Sequence, residues 1–77
     1  MRNLRLEENE LTLADRHIAD GNERIARLTR LLERQKEAGV DTDRCENLIS
    51  LMQSVLETFS SHRQLIVQEI ERLRQLG

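Results

Sequence analysis

The apolar residues in the second half of the chain recur at the spacing of one face of an α-helix. The residues of this stripe stand one, three or four positions apart, except where His62 lies between Phe59 and Ile66. They are Leu48, Ile49, Met52, Val55, Leu56, Phe59, Ile66 and Ile70. This spacing is typical of an amphipathic helix and differs from the strict alternation of a half-buried strand. The pattern therefore predicts a long second helix, over about residues 43–76.

The first half carries a narrower apolar stripe, with alternating spacings of three and four that are typical of a coiled-coil seam. The stripe predicts a first helix over about residues 8–38. Thr12 and Asp15 resemble a capping box, which is a reason to expect a late start. The predicted seam residues of this helix are Leu11, Ala14, Ile18, Gly21, Ile25, Leu28 and Leu32.

A short connection with a glycine and acidic residues separates the two stripes. Gly39 supplies the left-handed residue that closes a helix, and Asp41–Asp43 offer three candidates for the N-cap of the next one. A turn as short as residues 39–42 makes its two helices antiparallel neighbours. The sequence thus predicts an all-α fold, a single coiled-coil-like helical hairpin over residues 1–77.

The position of the turn also predicts which residues face each other. If the turn centres near residue 40, facing residue numbers sum to about 80. Phe59 then lies opposite Gly21 and Ile66 opposite Ala14, so that a large side chain meets a small one each time. From the second helix, this register assigns Leu48, Val55 and His62 to the seam.

The second helix is apolar around more of its circumference than one neighbour can cover. Its apolar positions spread over roughly 160°, against roughly 100° for the first helix. Two helices alone also make a poor core, because burial gains and an ordering cost of ~1.5 kcal/mol per residue nearly cancel. We therefore expect a homodimer that forms a four-helix bundle, or binding to another helical protein. The predicted interface residues are Ile49, Met52, Leu56, Phe59, Arg63, Ile66 and Ile70.

Composition and charge narrow the classes of function. Charged residues make up 34% of the 77 residues and apolar ones 38%, with one aromatic residue and no proline, which is typical of long helices. The formal net charge of −2 provides no basic field, so we expect no nucleic-acid binding through the arginines of the first helix. We expect neither a signal peptide nor a membrane span, and the single cysteine, Cys45, agrees with a reducing, cytoplasmic location.

His17 and His62 are the strongest candidates for chemistry, because the register brings them to the same level of the hairpin. The favoured interpretation is a partly buried polar pair that fixes the register. A metal site needs further ligands, such as Asp20 or the histidines of a second copy, so both histidines are weak metal candidates and no cofactor is expected. The segment from His17 to Gly21 also resembles the histidine segment of phosphotransfer domains, but Asp20 replaces their lysine and would repel a phosphohistidine.

Other reactive groups lack the partners that catalysis requires. No serine has a candidate base beside it, acidic neighbours oppose a reactive thiolate at Cys45, and a hairpin offers little concavity for a small-molecule substrate. We expect a small non-enzymatic protein–protein interaction or scaffold module that self-associates through its second helix. The alternative is a histidine-dependent phosphotransfer, sensing or metal-binding role that uses His17 and His62.

Several short segments carry a resemblance to a known group of proteins. They are the run Leu13–Gly21, the pairs Arg24-Ile25 and Arg27-Leu28, the turn segment Ala38–Thr42 and the pair His62-Arg63. Together these segments, within about residues 11–70, resemble short helical proteins common in alphaproteobacteria such as rhizobia. The resemblance implies a bacterial cytoplasmic protein and a helical hairpin, and it implies no mechanism. The two histidines and the turn glycine are typical of the group.

Overall fold

Two long antiparallel helices make up the described part of the chain. The structure is a computed structural model and describes residues 3–76. Helix α1 spans Leu4–Glu37 and helix α2 spans Asp43–Leu76, each with 34 residues. They pack side by side in a rod with extents of 60 × 16 × 14 Å. The predicted all-α hairpin is therefore confirmed.

Helix α1 begins earlier than the apolar pattern predicted. It starts at Leu4 rather than near residue 8, because the extended Asn3 accepts a hydrogen bond from the Leu6 N–H through its side-chain oxygen. This bond satisfies one of the N–H groups that a first helical turn leaves without a partner. The Thr12 hydroxyl does not cap a helix start. It donates to the Glu8 carbonyl one turn back, within the helix.

Gly39 closes helix α1, as predicted. Its φ of 71° is in the left-handed region that glycine adopts without strain. The Gly39 N–H donates to the Lys36 carbonyl at 3.2 Å, and the Val40 N–H donates to the Gln35 carbonyl at 3.0 Å. This pair of bonds is the Schellman arrangement, which satisfies carbonyls that the last helical turn leaves free.

Helix α2 begins at the predicted residue, after a connection over residues 38–42. The Asp41 carboxylate accepts from the Asp43 N–H at 3.0 Å. The Thr42 carbonyl accepts from the Glu46 N–H at 2.9 Å, and the Thr42 hydroxyl donates to the Glu46 carboxylate. Asp41 and Thr42, two of the three candidate capping residues, therefore both accept hydrogen bonds from N–H groups in the first turn of α2.

Near the middle of the rod, the helices meet about one helical turn away from the predicted register. A Cβ on Gly21 would lie 2.5 Å from Leu56 Cδ2, so Leu56 covers the glycine and the predicted Gly21–Phe59 pair is wrong. Near the turn, Cys45 Sγ lies 3.4 Å from the Leu28 carbonyl oxygen.

A thin core holds the two helices together. Ala14, Ile66 and Ile70 are 8%, 4% and 5% exposed, and Leu4 and Leu11 pack around them. Ala14 and Ile66 meet in the hairpin, as the sequence predicted. Ile66 and Ile70 were also predicted for an external interface, but here they are covered by α1. No described side chain is less than 2% exposed, so this core is only one layer thick.

Ion pairs join the helices toward the end of the rod opposite the turn. Arg63 Nε donates to the Asp15 carboxylate, and Arg74 lies 3.8 Å from Glu8. These pairs are exposed, so each stabilises the hairpin by only about 0–1 kcal/mol. Arg63, predicted for an external interface, is thus engaged within the hairpin.

Candidate interaction surface

Large apolar side chains are exposed along one side of the rod. On α1 their exposed fractions run from 38% to 49%, and on α2 from 44% to 72%. On α1 their separations are close to whole numbers of turns, and on α2 the four positions fall within roughly 100° around the helix axis, so each set lies on one side of its helix. We call this surface the leucine face; its residues are Leu6, Leu13 and Leu31 on α1 and Leu48, Leu51, Leu65 and Leu76 on α2.

A shallow groove between the helices runs along the leucine face. Toward the turn it is bordered by Leu31 and Leu48, with Met52 beside them. At the middle of the rod it is lined by Gly21, Val55 and Phe59, among others. Toward the other end, Leu13 and Leu65 line it together with glutamates and the two histidines. Apolar side chains therefore line the groove along the whole rod, and charged ones join them at the end away from the turn.

The opposite side of the hairpin has a different chemistry. There the groove exposes Asn22, Gln53, Glu57, Ser60 and Ser61, above the seam residues Ile25 and Leu56. Amides, hydroxyls and a carboxylate are readily solvated, so this side needs no covering partner. The two sides of the rod thus differ, and only the leucine face has the composition of a contact surface.

The charges that border the leucine face on α1 are segregated by sign. Glu10 and Asp20 line its first half, and Arg24, Arg27 and Arg34 line its second half. Within residues 3–76, Asp20 and these three arginines make no ion pair. Their charges are therefore available to a partner that covers the groove.

The two histidines lie at the edge of the same groove. His17 and His62 are both exposed and line one depression together with Leu13. The His17 ring packs against Phe59, with 5.7 Å between ring centroids and a 36° angle between ring planes. No hydrogen bond joins the two histidines within the described residues. His62 was assigned to the seam, but it is exposed and lies at the groove edge.

The arrangement of the described side chains does not support a metal site. Among residues 3–76, no group of three or more histidine, cysteine, aspartate or glutamate side chains is placed to hold a metal ion. Within that range, His17 and His62 thus have no third side chain placed to complete a metal site.

The predicted seam is partly correct. Ala14 and Gly21 are buried, and most of its other members are half-buried. Leu48 is the second exception besides His62, with 44% of its surface exposed on the leucine face. Near the turn, Cys45 is buried instead, with 4% of its surface exposed. Its position one turn before Ile49 was the signal that could have identified it.

Most of the residues predicted for an external interface fall into two groups. Leu56, Ile66 and Ile70 pack within the hairpin, whereas Met52 and Phe59 line the groove of the leucine face. Ile49 is half-buried. Leu13, Leu31 and Leu65 were missed, although the 18-residue separation of Leu13 and Leu31 places them on one side of α1.

Comparisons of this chain with protein families, with curated proteins and with solved structures find no match. The resemblance to short alphaproteobacterial proteins, and with it a bacterial cytoplasmic setting, stays a prediction from the sequence. Neither helix has, within residues 3–76, a stretch long and apolar enough to cross a bilayer. The structure shows the class of fold, which is a two-helix hairpin.

Proposed function

We propose that this protein is a small non-enzymatic interaction module that self-associates through its leucine face to form a homodimeric four-helix bundle. One observation carries the proposal. The large exposed leucines of both helices lie on one side of the rod, while the opposite groove is lined by amides, hydroxyls and a carboxylate. An extended apolar surface of this kind marks a site of protein contact.

The size of the face suits a dimer. A surface of about 60 by 16 Å offers on the order of 900 Å² per copy, and a standard interface buries ~800 Å² per partner. A second hairpin on this face would supply the layer that the thin core lacks, because four helices enclose a core that two cannot.

The structure changes which residues carry the proposed contact. Leu56, Ile66 and Ile70 stabilise the hairpin itself, so they are not the centre of the dimer interface. The contact instead uses apolar side chains from both helices. The residues at its centre are Leu13, Leu31, Leu48, Leu51, Met52, Val55 and Phe59.

The test is the mass of the protein in solution. Sedimentation of the wild-type chain at micromolar concentrations should give a dimer. The double variant Leu51→Lys, Leu65→Lys should give a monomer with unchanged helix content, because both side chains are largely exposed in the hairpin, at 60% and 63%. Gln53→Lys, on the polar side, is the matched control and should remain dimeric.

A wild-type chain that stays monomeric throughout the micromolar range would overturn the proposal. So would a double lysine variant that dimerises as tightly as the wild type. The histidine-dependent alternative has no comparable support. His17 packs on Phe59, and its shared depression with His62 lies at the edge of the proposed contact.

A further inference from the structure

We infer that the second copy lies antiparallel on the leucine face, with the turn of one hairpin over the open end of the other. This inference rests on the proposed self-association and adds the orientation and the register of the two copies. The two-fold axis crosses the middle of the rod at right angles to its length. In that arrangement α1 packs on α1 and α2 packs on α2.

The edge of α1 that borders the groove is complementary to itself when its direction is reversed about residue 22. Residues whose numbers sum to 44 then face each other across the two copies. Leu13 then meets Leu31 and Asp20 meets Arg24, while Arg27 lies opposite His17. The matched pairs on which the inference rests are Leu13 with Leu31 and Asp20 with Arg24.

The same two-fold axis also fits the residues of helix α2. Because Leu56 covers Gly21, residue 22 of α1 is level with Val55 of α2, and Val55 lines the groove. An axis through Val55 brings that residue against its own copy. It also brings Leu51 against Phe59, and Leu48 against His62. One two-fold axis thus relates α1 to its copy and α2 to its copy, and neither helix has to move within the hairpin.

The other two-fold arrangement, with the axis along the rod, brings the two turns together. In it α1 of each copy packs on α2 of the other, so Arg24, Arg27 and Arg34 face the α2 residues that line the same groove, Leu48 and Met52. Those side chains offer no opposite charge, and covering an unpaired charge opposes association. The antiparallel arrangement instead places Arg24 beside the carboxylate of Asp20.

Cysteine cross-linking in a Cys45→Ala background tests the register. Val55→Cys should oxidise to a disulfide-linked dimer, because the axis places it beside its own copy. Leu48→Cys should not link to itself, since its two copies lie on opposite sides of the axis. A mixture of Leu48→Cys and His62→Cys chains should give the mixed dimer. If Leu31→Cys chains link to Leu48→Cys chains instead, the two turns lie together and the inference is wrong.

Charge exchange is an independent test of the same register. Asp20→Arg and Arg24→Asp should each raise the dissociation constant of the dimer by roughly tenfold, because each creates two like-charge contacts. The double variant restores both pairs with reversed polarity and should return to within about threefold of the wild type. Glu57→Arg, which makes the same change of charge on the polar side, is the control and should have little effect.

The outcomes separate this inference from the proposed function. A dimer that forms no Val55→Cys disulfide, or that the charge exchange fails to restore, contradicts the antiparallel register and leaves self-association standing. A chain that is monomeric by sedimentation contradicts both. Circular dichroism of each variant checks that its helices are retained.

Discussion

At Gly21 the close approach of the two helices depends on one absent methyl group. Glycine inside a helix costs about 1 kcal/mol relative to alanine, so its presence needs a reason from packing. Leu56 provides that reason, because its methyl group occupies the space where a Cβ would be. The pairing of a small residue with a large one was predicted, but with a different large residue.

A double-mutant cycle on these two residues tests the pair. Gly21→Ala alone should give none of the stabilisation of ~1 kcal/mol expected from helix propensity, because Leu56 must move. In a Leu56→Ala background the same change should stabilise the protein by about that amount. Urea denaturation at fixed protein concentration measures both free energies. The control is a Phe59→Ala background, and a larger coupling there than with Leu56 would contradict the register.

Cys45 should react slowly with thiol reagents in the native protein. Its side chain is 4% exposed and its Sγ lies against the Leu28 carbonyl, so a reagent reaches it only when the helix ends open. We expect a rate at least about tenfold below that of Ser54→Cys in a Cys45→Ala background, since Ser54 is exposed. Absorbance assays of thiol modification give both rates. Equal rates without denaturant would show that Cys45 is accessible.

Among the elements, a connection of five residues makes the two helices antiparallel neighbours. The Schellman closure at Gly39 ends α1, and residues 38–42 lead to the start of α2. In the hairpin that results, Leu56 lies on Gly21, and Leu48 is exposed on the leucine face.

The left-handed backbone at Gly39 predicts the effect of substitutions there. Gly39→Ala should destabilise the hairpin by about 1 kcal/mol through backbone strain alone, because a Cβ at this position meets nothing within 4 Å. Gly39→Asn should cost less, since asparagine tolerates this conformation better. Urea unfolding of both variants measures the difference. Stabilisation by alanine would mean that α1 continues through the turn.

On the scale of the whole molecule, the hairpin has too thin a core to be complete by itself. Its buried apolar side chains form one line between the helices, and the leucine face lies beside that line with no cover from the same hairpin. A second layer of helices is the ordinary solution for such a fold. The proposed dimer supplies that layer.

Thermal unfolding should therefore depend on protein concentration. Mass action stabilises a folded dimer relative to unfolded chains, so the midpoint of the wild type should rise when the concentration is raised by two orders of magnitude. The Leu51→Lys, Leu65→Lys variant should unfold at a lower midpoint that does not change with concentration. Circular dichroism measures both. A wild-type midpoint that is independent of concentration would contradict the dimer.

The sequence by itself determined the class of fold, the turn and the position of α2. These features follow from local rules: apolar spacing favours helices, Gly39 tolerates a positive φ, and Asp41–Asp43 supply capping oxygens. Even the start of α1 had a local signal, in the side chain of Asn3, although the apolar pattern favoured a later residue. The groove residues Met52 and Phe59 were also expected at a contact surface.

Only the tertiary structure showed which part of the apolar stripe on α2 is covered by α1. Spacings of three and four state how wide a stripe is, but not how far one helix is shifted along the other. The contact between Gly21 and Leu56 joins residues far apart in the chain, so local spacing could not identify it. How each helix is rotated against the other is likewise a tertiary property. It buries Cys45 and leaves Leu48, His62 and the leucines of both helices exposed.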